Sequence, residues 1–392
     1  MRYDAVVIGA GPSGSMAAFE ISRAGFKAAL LEKHNRPGVP LCCGEAVSAG
    51  AIKKIMDVEP QWISSVINKI LVVSPGGKRA AVQHSEAGYV LDRETFDFDL
   101  AKRAEAAGAD LLTETIGLEL KGDKSFHTVT IVSRDEIKKE IEASIFIAAD
   151  GIESKIARLA GVPNLLTLRE IDSSLQFRVG GISIDPHTIE FHVGREIAPS
   201  NYLWIFPKSA TVANVGLGLS MAQHKGSQAE VYLKRFLAGR FGQYTILSRH
   251  CGLVPRYQGT QVFRKKNLLV VGDAARAIDS LSGAGIAYAM LSGKYAGLAS
   301  VEYLKGKVGS IEEIDRLYPG QFLDEKKEEL QLHNKLRNIY NKLEDDDFDE
   351  IVSALGDFFA PERKVEGLKA GSILAGLIAT RPKLLKYVRH LL

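Results

Sequence analysis

The sequence predicts an α/β fold, α+β overall: a parallel-sheet domain interrupted by an antiparallel sheet and followed by a helical C-terminal region. Three observations carry this. The largely apolar run Tyr3-Asp4-Ala5-Val6-Val7-Ile8 reads as a buried strand, residues 12–25 as a helix ended by Gly25, and residues 27–31 as a second buried strand. Strand, helix and strand at this spacing form the βαβ unit of a parallel sheet. From about 169 to 261 the pattern becomes period 2, as in Ser174–Val179 and Thr188–Val193, which suits an antiparallel sheet covered on one face. Buried-strand texture then returns at Asn267-Leu268-Leu269-Val270-Val271.

The elements between fit this frame. Residues 93–107 read as a helix with Phe96, Leu100 and Ala104 on one face, and Ile145–Ala149 as a buried strand ended by Asp150-Gly151. A small-residue helix is expected over 283–304, and beyond about 310 the chain reads as helical, with an acidic turn near 344–350. The expected division is a discontinuous nucleotide-binding domain (1–168 and 262–309), an inserted substrate or cap domain (169–261) and a helical region (310–392).

The 392 residues allow two or three domains. Fifty basic against 47 acidic residues leave a net charge of +3, too balanced for a nucleic-acid binder. Three cysteines (Cys42, Cys43 and Cys251) make no disulfide framework and suggest a reducing compartment; whether Cys251 pairs with Cys42 or Cys43 stays open. No Cys/His cluster has metal-ligand spacing, so no metal is expected. The first residues do not read as a signal peptide, and no uncharged apolar run reaches the ~18–20 residues of a membrane span. The expectation is a soluble or peripheral protein.

Gly9-Ala10-Gly11-Pro12-Ser13-Gly14 is a GxGxxG turn, and Glu32 follows Gly14 by 18 residues, at the end of the second strand. In a Rossmann-like dinucleotide site Gly9 permits the tight turn, Gly11 lets backbone approach a pyrophosphate, and Gly14 lets helix pack on strand. The helix N-terminus attracts phosphate, and Glu32 can accept from ribose hydroxyls. Ser13 belongs to the same turn.

Two later segments bear on the choice of dinucleotide: Asp150-Gly151-Ile152-Glu153-Ser154 with Arg158 beyond, and Gly272-Asp273-Ala274-Ala275-Arg276 followed by Gly283-Ala284-Gly285-Ile286. Together with the first turn they resemble the FAD superfamily with the para-hydroxybenzoate hydroxylase-like fold. The resemblance implies FAD, with Asp273, Gly285 and Ile286 around the flavin and Arg93 reaching it; Gly117 is a further expected contact. Two more segments resemble the geranylgeranyl reductase family. Pro40-Leu41-Cys42-Cys43-Gly44-Glu45-Ala46 matches its Cys-Gly-Glu segment, which lies beside the flavin in that family. Tyr202-Leu203-Trp204-Ile205-Phe206-Pro207, with Gly216-Leu217-Gly218 after eight residues, matches its YxWxFP-x8-GxG motif. The chain is most similar to the archaeal branch acting on digeranylgeranylglycerophospholipids. It departs where relatives often carry arginine, at Cys42, and glycine, at Ala46.

The residues themselves are compatible with that resemblance. Tyr202, Trp204 and Phe206 alternate on one strand face and would make a rigid apolar wall for an isoprenoid chain. Pro207 would end the ladder, and Gly216 and Gly218 would allow flavin or chain to approach. The implied reaction adds a hydride from reduced flavin and a proton to each double bond, with Cys43, Glu45 and Tyr202 as candidate proton donors. Cys43, Gly44 and Ala46 would also touch the cofactor. Implied partners are an isoprenoid phospholipid and an external donor such as NAD(P)H or ferredoxin, and the implied location is cytoplasmic, with or without attachment to the inner membrane face. The apolar stretch 368–378 with Lys383, Lys386 and Arg389 could lie on a lipid surface. A flavin monooxygenase and a lipid-binding electron-transfer flavoprotein are the alternatives.

Overall fold

The computed structural model describes residues 1–164, 166–222 and 228–359. The apolar and basic tail 368–389 lies outside them. The chain divides into two compact units.

The first unit comprises Met1–Leu41, Arg93–Thr167 and Pro255–Asn334. Its main sheet has the strand order Arg264–Lys265, Leu268–Val270, Ile145–Ala148, Ala5–Ile8, Ala28–Leu31 and Asp110–Leu112. All neighbours are parallel except the antiparallel edge Arg264–Lys265. Ala5–Ile8 and Ile145–Ala148 are buried along their whole length, which is why their sequences are apolar without alternation. The helix Pro12–Arg23 packs against the helix Ile286–Leu304. Gly293 and Gly297 make that approach possible, since a Cβ at either would overlap backbone atoms of Ser13 or Ala17. A small antiparallel sheet, Ile116–Lys121, Thr128–Val132 and Lys138–Glu142, completes the unit.

The second unit comprises Cys42–Asp92, Leu168–Val254 and the chain from Lys335 onward. Its eight strands run in the order Thr245–Pro255, Ile171–Gly180, Val212–Ser220, Tyr202–Pro207, Thr188–Val193, Ile63–Val73, Arg79–Leu91 and Ala46–Ser48. Thr188–Val193 pairs in parallel with Ile63–Val73, whereas its pairing with Tyr202–Pro207 is antiparallel. One face carries Phe177, Leu203, Ile205, Val215 and Leu217, covered by Leu233 and Leu237 of the helix Gln228–Phe241. The other face carries Trp204, Phe206, Ile67 and Val90.

The units depart from the sequence division. Residues 42–92 were expected with the nucleotide-binding part, yet they belong to the unit of the inserted sheet, because Ile63–Val73 and Arg79–Leu91 extend that sheet. The acidic stretch near 344–350 is the start of a helix, Asp345–Phe358, rather than a turn. Asp345, Asp346 and Asp347 occupy its first turn, where the helix dipole favours negative charge, and Glu344 and Asp347 form a reciprocal capping box. Phe348 and Val352 of this helix pack on Ala80 and Val193. The helix Gln321–Tyr340 belongs to the first unit through Asn334 and to the second from Lys335. Among the described residues no helix is long and apolar enough to cross a membrane.

Candidate functional site

The first unit holds a dinucleotide cradle. Gly9, at φ +106, sits where a Cβ would overlap the Ala149 carbonyl oxygen, so the turn after the first strand admits only glycine. A Cβ at Gly14 would overlap the Gly9 carbonyl, which brings the helix Pro12–Arg23 down onto the turn. Gly11 is different: it is the N-cap of that helix, with no side-chain cap, and a Cβ there would meet nothing within 4 Å. The space before the helix N-terminus is therefore open, as a pyrophosphate requires. Glu32 is held at this turn, its Oε2 accepting from the Ala10 N–H at 3.1 Å and its Oε1 from the His34 N–H at 2.9 Å. Ser13 is buried beside Gly272, whose own N–H donates to Ser292 Oγ at 3.0 Å.

The Gly-Asp segment contributes to the same unit. Burial pushes the Asp273 carboxyl above its ordinary value, and the positive charge of Arg93 opposes that shift. Arg93 makes a bidentate pair with Asp97 at 2.7 and 2.8 Å. Gly285 caps the helix Ile286–Leu304 without a side-chain bond, and a Cβ on it would lie 3.5 Å from Asp273 Oδ1. Asp150 works locally: its Oδ2 accepts from the Ile156 N–H at 2.8 Å, and burial raises its pKa. Gly117, also expected at the cofactor, lies against Ile8 and Ile156, where its lack of a side chain lets the small sheet lie close.

These residues fit FAD: an open helix N-terminus for phosphates, an acidic side chain at the end of the second strand for a ribose, and a second helix N-terminus beside Asp273.

The second unit holds an aromatic wall. Tyr202, Trp204 and Phe206 share one face of their strand, and Phe191 joins them from the neighbouring strand. Trp204 and Phe206 are stacked with centroids 6.1 Å apart, while Phe191 meets Tyr202 and Phe206 edge-on at 5.2 and 5.5 Å. Pro207 is the last residue of the strand. The register places Trp204 opposite Gly216, and the indole lies across that glycine; Asn201 lies across Gly218. The space left by these two glycines is thus filled from within the sheet, where flavin or chain was expected to use it.

The Cys42–Ala46 segment is fixed to this wall. A Cβ on Gly44 would lie 3.0 Å from the Phe206 ring. Glu45 stands at φ +74 with only 1% of its surface exposed. Its Oε2 accepts from Asn214 Nδ2 at 2.6 Å, Arg178 at 2.8 Å and Lys208 Nζ at 3.0 Å. Burial lowers the Lys208 pKa, and the Glu45 carboxylate opposes that shift. Lys208 Nζ also donates to the Leu91 carbonyl at 2.6 Å. Cys43 Sγ accepts from the Glu45 N–H at 3.1 Å. None of the three cysteines is in a disulfide: Cys42 and Cys251 are exposed, and Cys43 is half-buried. Ala46 packs against the cluster that contains Trp204 and Phe206.

Gln176, Arg178, Lys208 and Asn214 were missed in the sequence. A signal was available: Gln176 and Arg178 alternate on one face of Ile171–Gly180, directly opposite Gly216 and Asn214. Polar residues on the face of a strand that also carries a buried aromatic need partners.

Residues 170–254 match the model of the geranylgeranyl reductase catalytic domain, and residues 7–69 that of an NAD(P)-binding Rossmann-like domain. A digeranylgeranylglycerophospholipid reductase of Methanocaldococcus jannaschii is 36% identical over 400 aligned positions, covering 100% of this chain and 98% of that protein. The chain belongs to the digeranylgeranylglycerophospholipid reductase family. A geranylgeranyl bacteriochlorophyll reductase-like protein of Thermoplasma acidophilum has a crystal structure matching at TM-score 0.92, with 29% identity and coverage of 100% and 99% of the two chains. The fold of this reductase family is shared more widely: a flavin-dependent brominase matches at TM-score 0.71 with 16% identity over 98% and 100% of the chains.

Proposed function

We propose that the chain is an FAD-dependent reductase that saturates the double bonds of geranylgeranyl chains on a glycerophospholipid precursor. The observation that carries this reading is the wall of Tyr202, Trp204, Phe206 and Phe191, which lies in the segment matching the geranylgeranyl reductase catalytic domain. An isoprenoid offers no polar group to recognise, so a rigid apolar surface is the means of binding it.

FAD would be held by Gly9, Gly11, Ser13 and Gly14 at the phosphates, Glu32 at a ribose, and Asp273, Gly285, Ile286 and Arg93 toward the flavin. Bound and reduced, it supplies the hydride equivalent. The wall orients the chain and keeps water from the alkene. A trisubstituted alkene takes a proton at its less substituted carbon, because positive charge then develops on a tertiary centre. Cys43 Sγ and Tyr202 Oη are the proposed sources of that proton. Glu45, whose Oε2 already accepts from three N–H donors, serves better as the anchor of the Cys43–Glu45 turn than as an acid. Electrons come from outside the chain, from NAD(P)H, ferredoxin or a similar carrier, and the lipid substrate implies work at the inner membrane surface.

The test is anaerobic turnover of dithionite-reduced protein with a geranylgeranyl-bearing phospholipid, read by product mass. Two hydrogens gained per double bond, with flavin reoxidised in step, is the expected result. Tyr202→Phe and Cys43→Ala should each slow turnover while the flavin stays bound. Absence of mass gain, with a hydroxylated product in air, would replace the reductase with a monooxygenase.

A further inference from the structure

The turn between the Gly-Asp segment and the helix Ile286–Leu304 is built around one side chain. Asp279, 6% exposed, accepts at Oδ1 from the Leu281 N–H at 2.8 Å and at Oδ2 from Ser282 Oγ at 2.6 Å. Its main chain closes the same turn: Asp279 N–H donates to the Ala284 carbonyl at 3.0 Å, and Gly283 N–H donates to the Asp279 carbonyl at 2.9 Å. Ser280 Oγ is tied to the Tyr257 main chain. Yet Ser282, Gly283 and Ala284 are exposed at the tip, so the turn has little apolar packing to hold it.

A charge from outside the turn reaches Asp279. His333 Nδ1, on the helix Gln321–Tyr340, lies 3.0 Å from Asp279 Oδ2, with both side chains largely buried. Around the pair stand Glu329 on the same helix and Tyr288 on Ile286–Leu304, with Lys326 over the Tyr288 ring. We propose that the Asp279–His333 pair is a latch that positions the turn 279–285, and with it Gly285 beside Asp273, for dinucleotide binding. The role in binding rests on the FAD reading above; the ordering of the turn does not.

The charges fit a latch that is closed in mild acid and loosens as pH rises. Burial alone would raise Asp279, but His333, Ser282 and the Leu281 N–H hold it below its ordinary 3.8. The Asp279 carboxylate holds His333 above its ordinary 6.5. A histidine raised in this way contributes fully below 6.5, and its contribution is lost as pH rises through the raised value.

The test compares full-length wild type with His333→Gln and Asp279→Asn. Amide exchange of the 277–286 region is followed without cofactor from pH 6 to pH 9, corrected for the intrinsic rate of exchange, and FAD affinity is titrated over the same range. Both variants should exchange there about tenfold faster at pH 6, the size expected for one lost ion-pair contact, while the sheet strands keep their protection. Wild type should lose protection with rising pH and His333→Gln should not. FAD affinity should fall about tenfold in both variants. Unchanged protection in both variants, or faster exchange spread equally over the whole chain, would overturn the latch. If wild type takes up no FAD, the cofactor reading fails, while the exchange data still decide the latch.

Discussion

Trp204 Nε1 donates to Gln176 Oε1 at 2.9 Å, and the same amide's Nε2 donates to the Cys43 carbonyl at 3.0 Å. One buried side chain thus orients the centre of the aromatic wall and holds the turn that carries Gly44 and Glu45. Gln176→Ala leaves an indole N–H and a backbone carbonyl without this partner. The expected cost is about 1–3 kcal/mol of stability. Urea unfolding measures that loss. Because the substitution also frees the indole to turn, KM for the lipid should rise more than kcat falls. Stability within about 0.5 kcal/mol of wild type, the range of an ordinary surface change, would mean that water replaces the amide on both partners.

The glycine turn and the strand after it were legible in the sequence because their parts are local. Gly9, Gly11 and Gly14 sit in one turn, and Glu32 ends the next strand, so spacing alone specifies them. The helix Pro12–Arg23 and the strand Ala28–Leu31 lie within two residues of the expected ends. The inserted sheet was legible only in part. Its antiparallel strands declare themselves by alternation, but Ile63–Val73 joins through a parallel pairing with Thr188–Val193, distant in the chain, and such pairing leaves no local pattern. The Glu45 anchor was hidden for a similar reason: Arg178, Lys208 and Asn214 come from three separate strands or strand ends. Gly216 was found by its motif, but its purpose, room for the Trp204 ring, follows from register alone.

Asp273, proposed above to face the flavin, carries a cost in stability. Its carboxyl is raised by burial, with Arg93 offsetting part of the shift. A carboxyl raised on folding binds protons more readily in the folded state, so the protein loses stability as pH rises from 3.8 through the raised value. Asp273→Asn removes that loss. At pH 7 the cofactor-free variant should be more stable than wild type by roughly 0.5–2 kcal/mol, and the two should converge in acid. FAD affinity should fall in the same variant. Thermal unfolding of apoprotein across pH, with flavin titration alongside, measures both. A variant less stable than wild type at pH 7 would show that Arg93 needs the carboxylate more than burial penalises it.

Gly11 and Gly14 share a motif but have different physical roles, and alanine separates them. At Gly14 the new Cβ would overlap the Gly9 carbonyl oxygen and lie 3.1 Å from the Ala149 Cβ. The obstructing oxygen is backbone in a turn at φ +106, so it cannot turn aside. Gly14→Ala should therefore cost about 1–3 kcal/mol, the usual penalty of overpacking, and should lose FAD as a consequence of the displaced helix. At Gly11 φ is −72, which alanine adopts freely, and a Cβ meets nothing within 4 Å. Gly11→Ala should leave apoprotein stability unchanged or raise it by about 0.4–1 kcal/mol through the reduced entropy of the unfolded chain. It should nonetheless weaken FAD binding by at least about tenfold, because the methyl group enters the space a pyrophosphate needs. Denaturant unfolding and flavin titration on the two variants decide the matter. If Gly11→Ala binds FAD as tightly as wild type, the open space before the helix does not hold the phosphates.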